Sequence, residues 1–272
     1  LQKQTSLSQT SVRSIFMDSQ GGMWVGTYFG GLNYYHPLKS CFQNIRYMSE
    51  RNSLNDNVIT CIIEDKQKGL WIGTNGGGVN HYNKETNTFT HYTQKEGLGS
   101  NDIKTIYIDE TKNLVYIGTH AGGISILHRH SKRIETYNSN IKHAYSIVPA
   151  NNGDLWISTL DSIVRFNPHK KTFITYATDQ DKKAIKTNHI TTIFRDSEQR
   201  LWLCGEKGIS TYIEIGDELK SILLLPEGSS VNHNFINSIY ESHNGLFWIS
   251  TRSGLYLSLI HISEPTRPRL IS

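Results

Sequence analysis

Four acids recur at one place in a repeated pattern: Asp18, Asp65, Asp109 and Asp196. Carboxylates at matched positions could serve as general acid and base on a polysaccharide, where a hydrolase needs two of them about 5–9.5 Å apart. A turn is the simpler account. Asp accepts hydrogen bonds from its own backbone two residues on, and the stretches Asp18 to Gly22 and Asp65 to Gly69 suit tight hairpins. His128 and His130 would share one strand face and could suit a metal, but no third ligand accompanies them. Cys41, Cys61 and Cys204 are widely spaced with no Cys-x-x-Cys, so neither a disulfide framework nor a zinc site is expected and the thiols should be free and buried. There is no Gly-x-Ser-x-Gly, P-loop or His-Glu-x-x-His. Thus no catalytic residue, metal or cofactor is assigned, and the chain is read as not an enzyme.

A second set of residues suits binding rather than catalysis. Tyr28, Phe29, Asn75, His120, Asp161, Glu206, Lys207 and Arg252 occupy the corresponding short turn of successive repeats and differ most between them. Aromatic faces stack on sugar rings, and amides or charges bond hydroxyls, which is the make-up of a polar-ligand site. For any one of them, ordinary variation of a solvated loop is the favoured account. Asn57, Asn101, Asn188 and Asn234 recur in the turn leading into each repeat and are expected to cap it.

The repeat that positions these residues is set by Trp24, Trp71, Tyr116, Trp156, Trp202 and Trp248, spaced 40 to 47 residues apart. Twelve residues before the aromatic stand Val12, Ile59, Ala144, Ile190 and Ile236; nine before it stand Ile15, Ile62, Ile147, Ile193 and Ile239. The third repeat carries one inserted residue, and Ile103 and Ile106 take those places. Behind each aromatic come an aliphatic and a small residue, in the strings WVGT, WIGT, YIGT, WIST, WLCG and WIST. A Gly-containing turn follows, then pairs such as Leu32 and Tyr35 or Val79 and Tyr82, then a last segment such as Phe89 to Tyr92. The Gly pairs at 30–31, 77–78 and 122–123 suit positive φ.

Each unit therefore reads as four short strands. Four strands in about 40–45 residues make one blade of an all-β propeller, with about six blades visible. The aromatic should lie between neighbouring sheets, and the small residue two positions on should give the neighbour room. Alternate turns of a four-strand meander share a face, so the lead-in turn and the turn between strands two and three lie together. The repeated acids lie at the opposite face. Blades are expected at 1–50, 51–98, 99–139, 140–179, 180–227 and 228–256, the last incomplete.

Composition fits a folded domain: 37% of the 272 residues are hydrophobic, with 14 Tyr, nine Phe and five Trp to fill a core. A net charge of +4 without a basic stripe gives no nucleic-acid footprint. No run of about 18 apolar residues offers a membrane span.

The pattern Asp-x-x-Gly-x-(Leu/Met)-Trp-(Ile/Val)-Gly-Thr-x-x-Gly-Gly-(Leu/Val)-x-x-Tyr resembles the two-component-regulator propeller repeat, most like that of the extracytoplasmic sensor region of Bacteroidetes hybrid two-component systems. The lead-ins Ser6-Leu7 and Ser53-Leu54-Asn55-Asp56-Asn57-Val58 match as well. Repeat four departs, with Ala150 in the acid's place, and repeat five has Cys204-Gly205 for Gly-Thr. The resemblance covers about residues 5–256. It implies a periplasmic, carbohydrate-sensing fragment of a seven-bladed propeller in a receptor whose histidine kinase lies outside this chain. Its partners would be an oligosaccharide or other polar ligand, a neighbouring propeller and a dimer partner, with no nucleic acid and no membrane contact by this fragment. A propeller hydrolase or lyase acting on polysaccharide and a protein-binding scaffold are the alternatives. From about Leu257 the string LSLIHISEPTRPRLIS abandons the blade pattern. It resembles a translated sequencing adapter, so residues 257–272 are expected to be non-native.

Overall fold

The computed structural model describes residues 2–4, 6–38, 42–49, 52–138, 141–160, 162–177, 189–206, 208–215, 218–222, 235–243, 245–259 and 269–270. The chain is an all-β propeller of six antiparallel sheets. It divides into two compact units, Leu1–Ala144 and Tyr145–Ser272, each contributing three blades. Among the described residues the one helical element is a 3-10 turn, Gln94–Glu96, and no helix is long and apolar enough to cross a membrane.

In the first unit, blade one comprises Val12–Met17, Met23–Thr27, Leu32–Tyr35 and Phe42–Ile45. Blade two comprises Ile59–Glu64, Leu70–Thr74, Val79–Asn83 and Thr88–Tyr92, and blade three Ile103–Asp109, Leu114–Thr119, Ile124–His128 and Ile134–Tyr137. In the second unit, blade four comprises Ser146–Pro149, Leu155–Ser158, Ser162–Asn167 and Thr172–Ala177. Blade five comprises Thr192–Arg195, Leu201–Gly205, Gly208–Ile215 and Glu218–Ile222, and blade six Ile236–Glu241, Leu246–Thr251, Gly254–Leu259 and Arg269–Leu270. Each sheet pairs its strands in chain order. Blade one gains a fifth strand, Gln2–Gln4, beside Phe42–Ile45. The third strand of blade six runs to Leu259, and Arg269–Leu270 pairs with it at Tyr256 and Leu257. Blade-type pairing therefore extends beyond residue 256.

The alternation along each second strand builds the core. The Trp of one blade faces the next: Trp24 packs with Leu70, Ile72 and Tyr82, and Trp71 with Ile103, Ile106 and Val115. Trp156 packs with Ile190, Ile193 and Leu201, and Trp202 with Ile236, Ile239 and Phe247. Burying a ring of this size removes on the order of 150–250 Å² from water. The small residue two positions on has the expected reason. A Cβ on Gly26 would lie 2.6 Å from Ile59, and one on Gly73 would lie 2.8 Å from Ile103. Larger residues there would push the blades apart.

The first and sixth blades depart from the pattern. Trp248 is only half-buried, whereas its neighbour Phe247 is buried against Trp202. Among the described residues no sheet follows blade six to cover Trp248. Likewise Ile15, equivalent to the covered Ile106 and Ile193, is 64% exposed, and Met17 beside it is 57% exposed. The glycine pairs also need a correction. Only the second member, Gly31, Gly78 or Gly123, has positive φ, at 74°, 78° and 72°. The first is needed for space: a Cβ on Gly77 would lie 2.6 Å from the Asn55 side chain.

Candidate functional site

Two ends of the blades carry polar groups, and they do different things. At the end holding the turns between strands one and two, the recurring acids are fully engaged. Asp18 accepts hydrogen bonds from the backbone N–H of Gln20 at 3.0 Å and Gly22 at 2.8 Å, and from the Trp24 indole N–H at 2.8 Å. Asp65 accepts from Gly69 N–H and the Trp71 indole, both at 2.9 Å, and Asp196 from Arg200 N–H and the Trp202 indole, both at 2.8 Å. The acids were expected to bond the backbone two residues on; the shared partners are the N–H four residues on and the indole six residues on. Burial by itself would raise the Asp65 pKa, but hydrogen bonds from His81, Trp71 and Gly69 and the charge of Arg129 outweigh it and hold the carboxyl down at about 2. Asp18 is lowered in the same way: the bonds from Trp24, Lys84 and Gly22 outweigh its desolvation. Asp18, Asp65 and Asp196 each tie their own hairpin turn to their own indole.

Asp109 differs because its aromatic is Tyr116. It bonds Thr111 N–H at 3.1 Å and Lys112 N–H at 3.0 Å, and the Tyr116 hydroxyl is buried with no hydrogen-bond partner. Blade four, which has Ala150 for the acid, recruits Glu214 from the third strand of blade five as the acceptor of the Trp156 indole N–H. The thiols of Cys61 and Cys204 are free, and burial pushes their pKa values up to about 11 and about 12. Cys41 lies outside the described residues.

The opposite end holds the turns between strands two and three. There the lead-in turns of blades one, two, three and six supply a carbonyl to the variable turn: Tyr28 N–H bonds Ser11 O at 3.0 Å, and Asn75 N–H bonds Val58 O at 3.0 Å. His120 N–H bonds Asp102 O at 2.9 Å, and Arg252 N–H bonds Phe235 O at 3.2 Å. The two sets of turns therefore share an end in each of these blades. Asn57 and Asn101 do not cap their own turns. The Asn57 side chain accepts from Tyr47 N–H at 2.8 Å and the Asn101 side chain from Gln94 N–H at 2.8 Å. Their backbone carbonyls bond Gly31 and Gly78 of the preceding blade. They pin the connection between blades. Asn188 and Asn234 lie outside the described residues.

Of the predicted ligand residues, Asn75 and His120 are joined into one polar chain. Lys104 Nζ donates to the Asn75 side chain at 3.3 Å and pairs with Asp102 at 2.9 Å. The other Asp102 oxygen lies 3.7 Å from His120 Nδ1, and the His120 and His143 rings are 4.5 Å apart. Ala121 holds a φ of 62°, and its N–H bonds His143 Nδ1 at 3.2 Å. A non-glycine residue in this region stores strain, which collects at functional sites. Asp102, Lys104 and His143 were not anticipated. The available signal was the place of Asp102 and His143 in lead-in turns, just after Asn101 and just before Ala144; Lys104 is the second residue of the strand that follows Asp102.

Tyr28 and Phe29 meet edge to face at 4.3 Å, with the Arg13 guanidinium 4.5 Å from the Tyr28 ring and Phe29 58% exposed. In the second unit Glu206 pairs with His189 at 2.8 Å, and Arg252 lies 4.2 Å over the Phe235 ring. Asp161 and Lys207 lie outside the described residues. In the first unit the polar chain offers amide, ammonium, carboxylate and imidazole groups, and the exposed Phe29 ring lies on a corresponding turn. Such a set can bond and stack on a polar ligand.

The two component regulator propeller family matches residues 6–29, 53–76 and 230–253. No curated protein sequence matches the chain. Among solved structures, the extracellular domain of one hybrid two component system from B. thetaiotaomicron is 23% identical, with a TM-score of 0.78 over 96% of this chain and 35% of the other. A second such domain from the same organism is 25% identical, with a TM-score of 0.77 over 96% of this chain and 36% of the other. Virginiamycin B lyase from Staphylococcus aureus, determined with quinupristin, shares the fold at 12% identity and a TM-score of 0.71, over 99% of this chain and 87% of the lyase. The chain spans about a third of the length of the two-component domains. Residues 6–29, 53–76 and 230–253 thus match the two component regulator propeller repeat, and nearly the whole chain is similar in fold to the extracellular domains of hybrid two component systems.

Proposed function

We propose that this chain is the ligand-sensing part of an extracytoplasmic, periplasmic receptor, and that its ligand is an oligosaccharide or similar polyhydroxylated molecule. The ligand binds at the blade end carrying the turns between strands two and three. Its occupancy is passed to a histidine kinase outside this chain, through a neighbouring propeller and a dimer partner. The observation that carries the reading is the polar chain Asn75, Lys104, Asp102, His120 and His143. It joins turns of successive blades without contributing to the apolar core, and Lys104, Asp102 and His120 remain 24%, 28% and 46% accessible. A ligand held there can shift a receptor only through unequal affinity for its two arrangements.

Calorimetric titration of the full chain with plant, fungal and host oligosaccharides tests this. An oligosaccharide that binds should lose about tenfold or more in affinity in Lys104→Ala and Asn75→Ala, with the melting temperature unchanged. Undiminished affinity in both variants would contradict the placement.

Protein binding is the second reading, favoured by one observation. Val12, Ile15 and Met17 form an apolar stripe on one face of the first strand of blade one, exposed by 39%, 64% and 57%. Such a stripe suits a protein surface better than a sugar.

A further inference from the structure

The first unit contains a cleft of about 350 Å³ at the blade end opposite the polar chain. Gln67, Trp71, His81, Thr90 and Tyr92 of blade two line one side. Asn113, Arg129, His130 and Lys132, on the hairpin turns of blade three, line the other. Trp71 and Tyr92 form a stacked floor at 5.8 Å, and His81 lies against Trp71 at 4.3 Å.

The lining is one-sided in its chemistry. Every polar side chain on it can donate a hydrogen bond, four can carry positive charge, and none of these lining residues is a carboxylate. The two nearby acids stand behind Arg129 and are spent on it: Asp65 at 2.9 Å and Glu110 at 2.7 Å. Those bonds and one to Gln67 use three of the five guanidinium N–H groups, leaving Nε–H and one further N–H uncommitted. Arg129 is thereby fixed in place, because the buried Asp65, the partly buried Glu110 and the Trp71 ring at 5.9 Å hold its plane. Lys132 makes no ion pair among the described residues, and its φ of 58° sets it at the rim on a tight turn. A pre-oriented guanidinium beside a free ammonium is the arrangement that binds planar or tetrahedral oxyanions.

We propose that this cleft is a second binding site, for an oxyanion-bearing small molecule: a carboxylate, sulfate or phosphate, free or carried on a sugar ring. The anion sits between Arg129 and Lys132, with Gln67, Asn113 and Thr90 donating to it. A ring carrying it would lie against His81. The site is independent of the polyhydroxylated ligand proposed for the other end.

Calorimetric titration of the full chain at low ionic strength, where exposed charges are least screened, tests the proposal. The probes are inorganic sulfate, inorganic phosphate, glucuronate and glucose. Saturable binding of at least one anion is expected, with glucose failing to bind at the same concentrations. Tighter binding of glucuronate than of sulfate and phosphate would identify an acidic sugar as the ligand, and the reverse order a free oxyanion. Lys132→Glu should weaken the anion by at least about tenfold. Thr90→Val should weaken it several-fold. Both Lys132 and Thr90 are exposed, so their variants should melt as the parent does. Binding of none of the three anions, glucose binding as tightly as glucuronate, or an unaltered affinity in Lys132→Glu would each overturn the proposal.

Discussion

Two blade junctions solve the same problem with opposite polarity. In the first unit, blade one presents Asp18 to its own Trp24, and blade two answers with Lys84, which bonds Asp18 at 3.0 Å and Glu64 at 2.6 Å. In the second unit the corresponding position of blade four is Ala150, and the groups on blade five are reversed. Glu214 stands where Lys84 stands, five residues past the first apolar residue of the third strand, and Arg195 stands where Glu64 stands, seven residues before the Trp. Glu214 accepts the Trp156 indole N–H and pairs with Arg195, which also bonds Pro149 O at 3.0 Å. What persists between the two junctions is an oxygen for the indole N–H and an ion of opposite charge paired with it. Which blade supplies the oxygen is free to change. The cost of a buried N–H without an acceptor enforces the first condition, and the cost of a buried unpaired ion enforces the second.

The largest effect that would test this comparison is expected at the junction between blades two and three. Asp65→Ala removes the acceptor of Gly69, Trp71 and His81 and takes one of the two carboxylates that pair with Arg129, which should cost about 3–5 kcal/mol in urea unfolding. Glu214→Gln keeps an oxygen for the indole but leaves Arg195 unbalanced, and should cost about 1–3 kcal/mol. Adding Ala150→Asp to that variant moves the acid back to the position it holds in blade one, and should recover part of the loss. Failure of Ala150→Asp to recover any of it would mean that the two junctions are not equivalent.

The pH dependence has a definite sign. Asp65 titrates at about 2 in the folded chain and at about 3.9 when unfolded. Its contribution is therefore complete above about pH 4 and is lost as the pH falls toward 2. The stability gap between the parent and Asp65→Asn should accordingly narrow between pH 5 and pH 3, as read from the denaturant midpoint. The smallest effect is expected in blade three. Because the Tyr116 hydroxyl is buried without a hydrogen-bond partner, Tyr116→Phe should be neutral or stabilise by up to about 1 kcal/mol.

Much of the fold was legible because the repeat registers it several times over. The Trp positions and the Ile nine residues before them reflect contacts that recur at the junctions within each unit, and the small residue two after them makes room for the next blade at two junctions of the first. A Trp, an Ile or a small residue therefore marks each place. The asymmetry of the end blades was not legible in this way. Trp248 and Ile15 obey the same register as their buried equivalents, and only the lack of a covering sheet among the described residues separates them. The grip of Asp18 and Asp65 on indoles was missed because a turn already explained an Asp at that spacing. Glu214 was missed because its partner Trp156 lies 58 residues away and in another blade. The candidate site divides along the same line. Asn75 and His120 were found by their variability within a fixed turn. Asp102, Lys104 and His143 join them only through side-chain contacts between residues distant in the chain, of which Lys104 to Asn75 and His143 to His120 cross from one repeat to the next.

The account rests on a propeller that binds a polar ligand without transforming it. A thermal-shift series on the full chain against neutral and acidic oligosaccharides, with product analysis of every sample, tests this most directly. A ligand that binds only the folded chain adds about 2.7 kcal/mol at a hundredfold excess over Kd. The account predicts a selective upward shift with one class of saccharide and no cleaved product. Cleavage of the saccharide, or an unchanged melt across the whole panel, would contradict it.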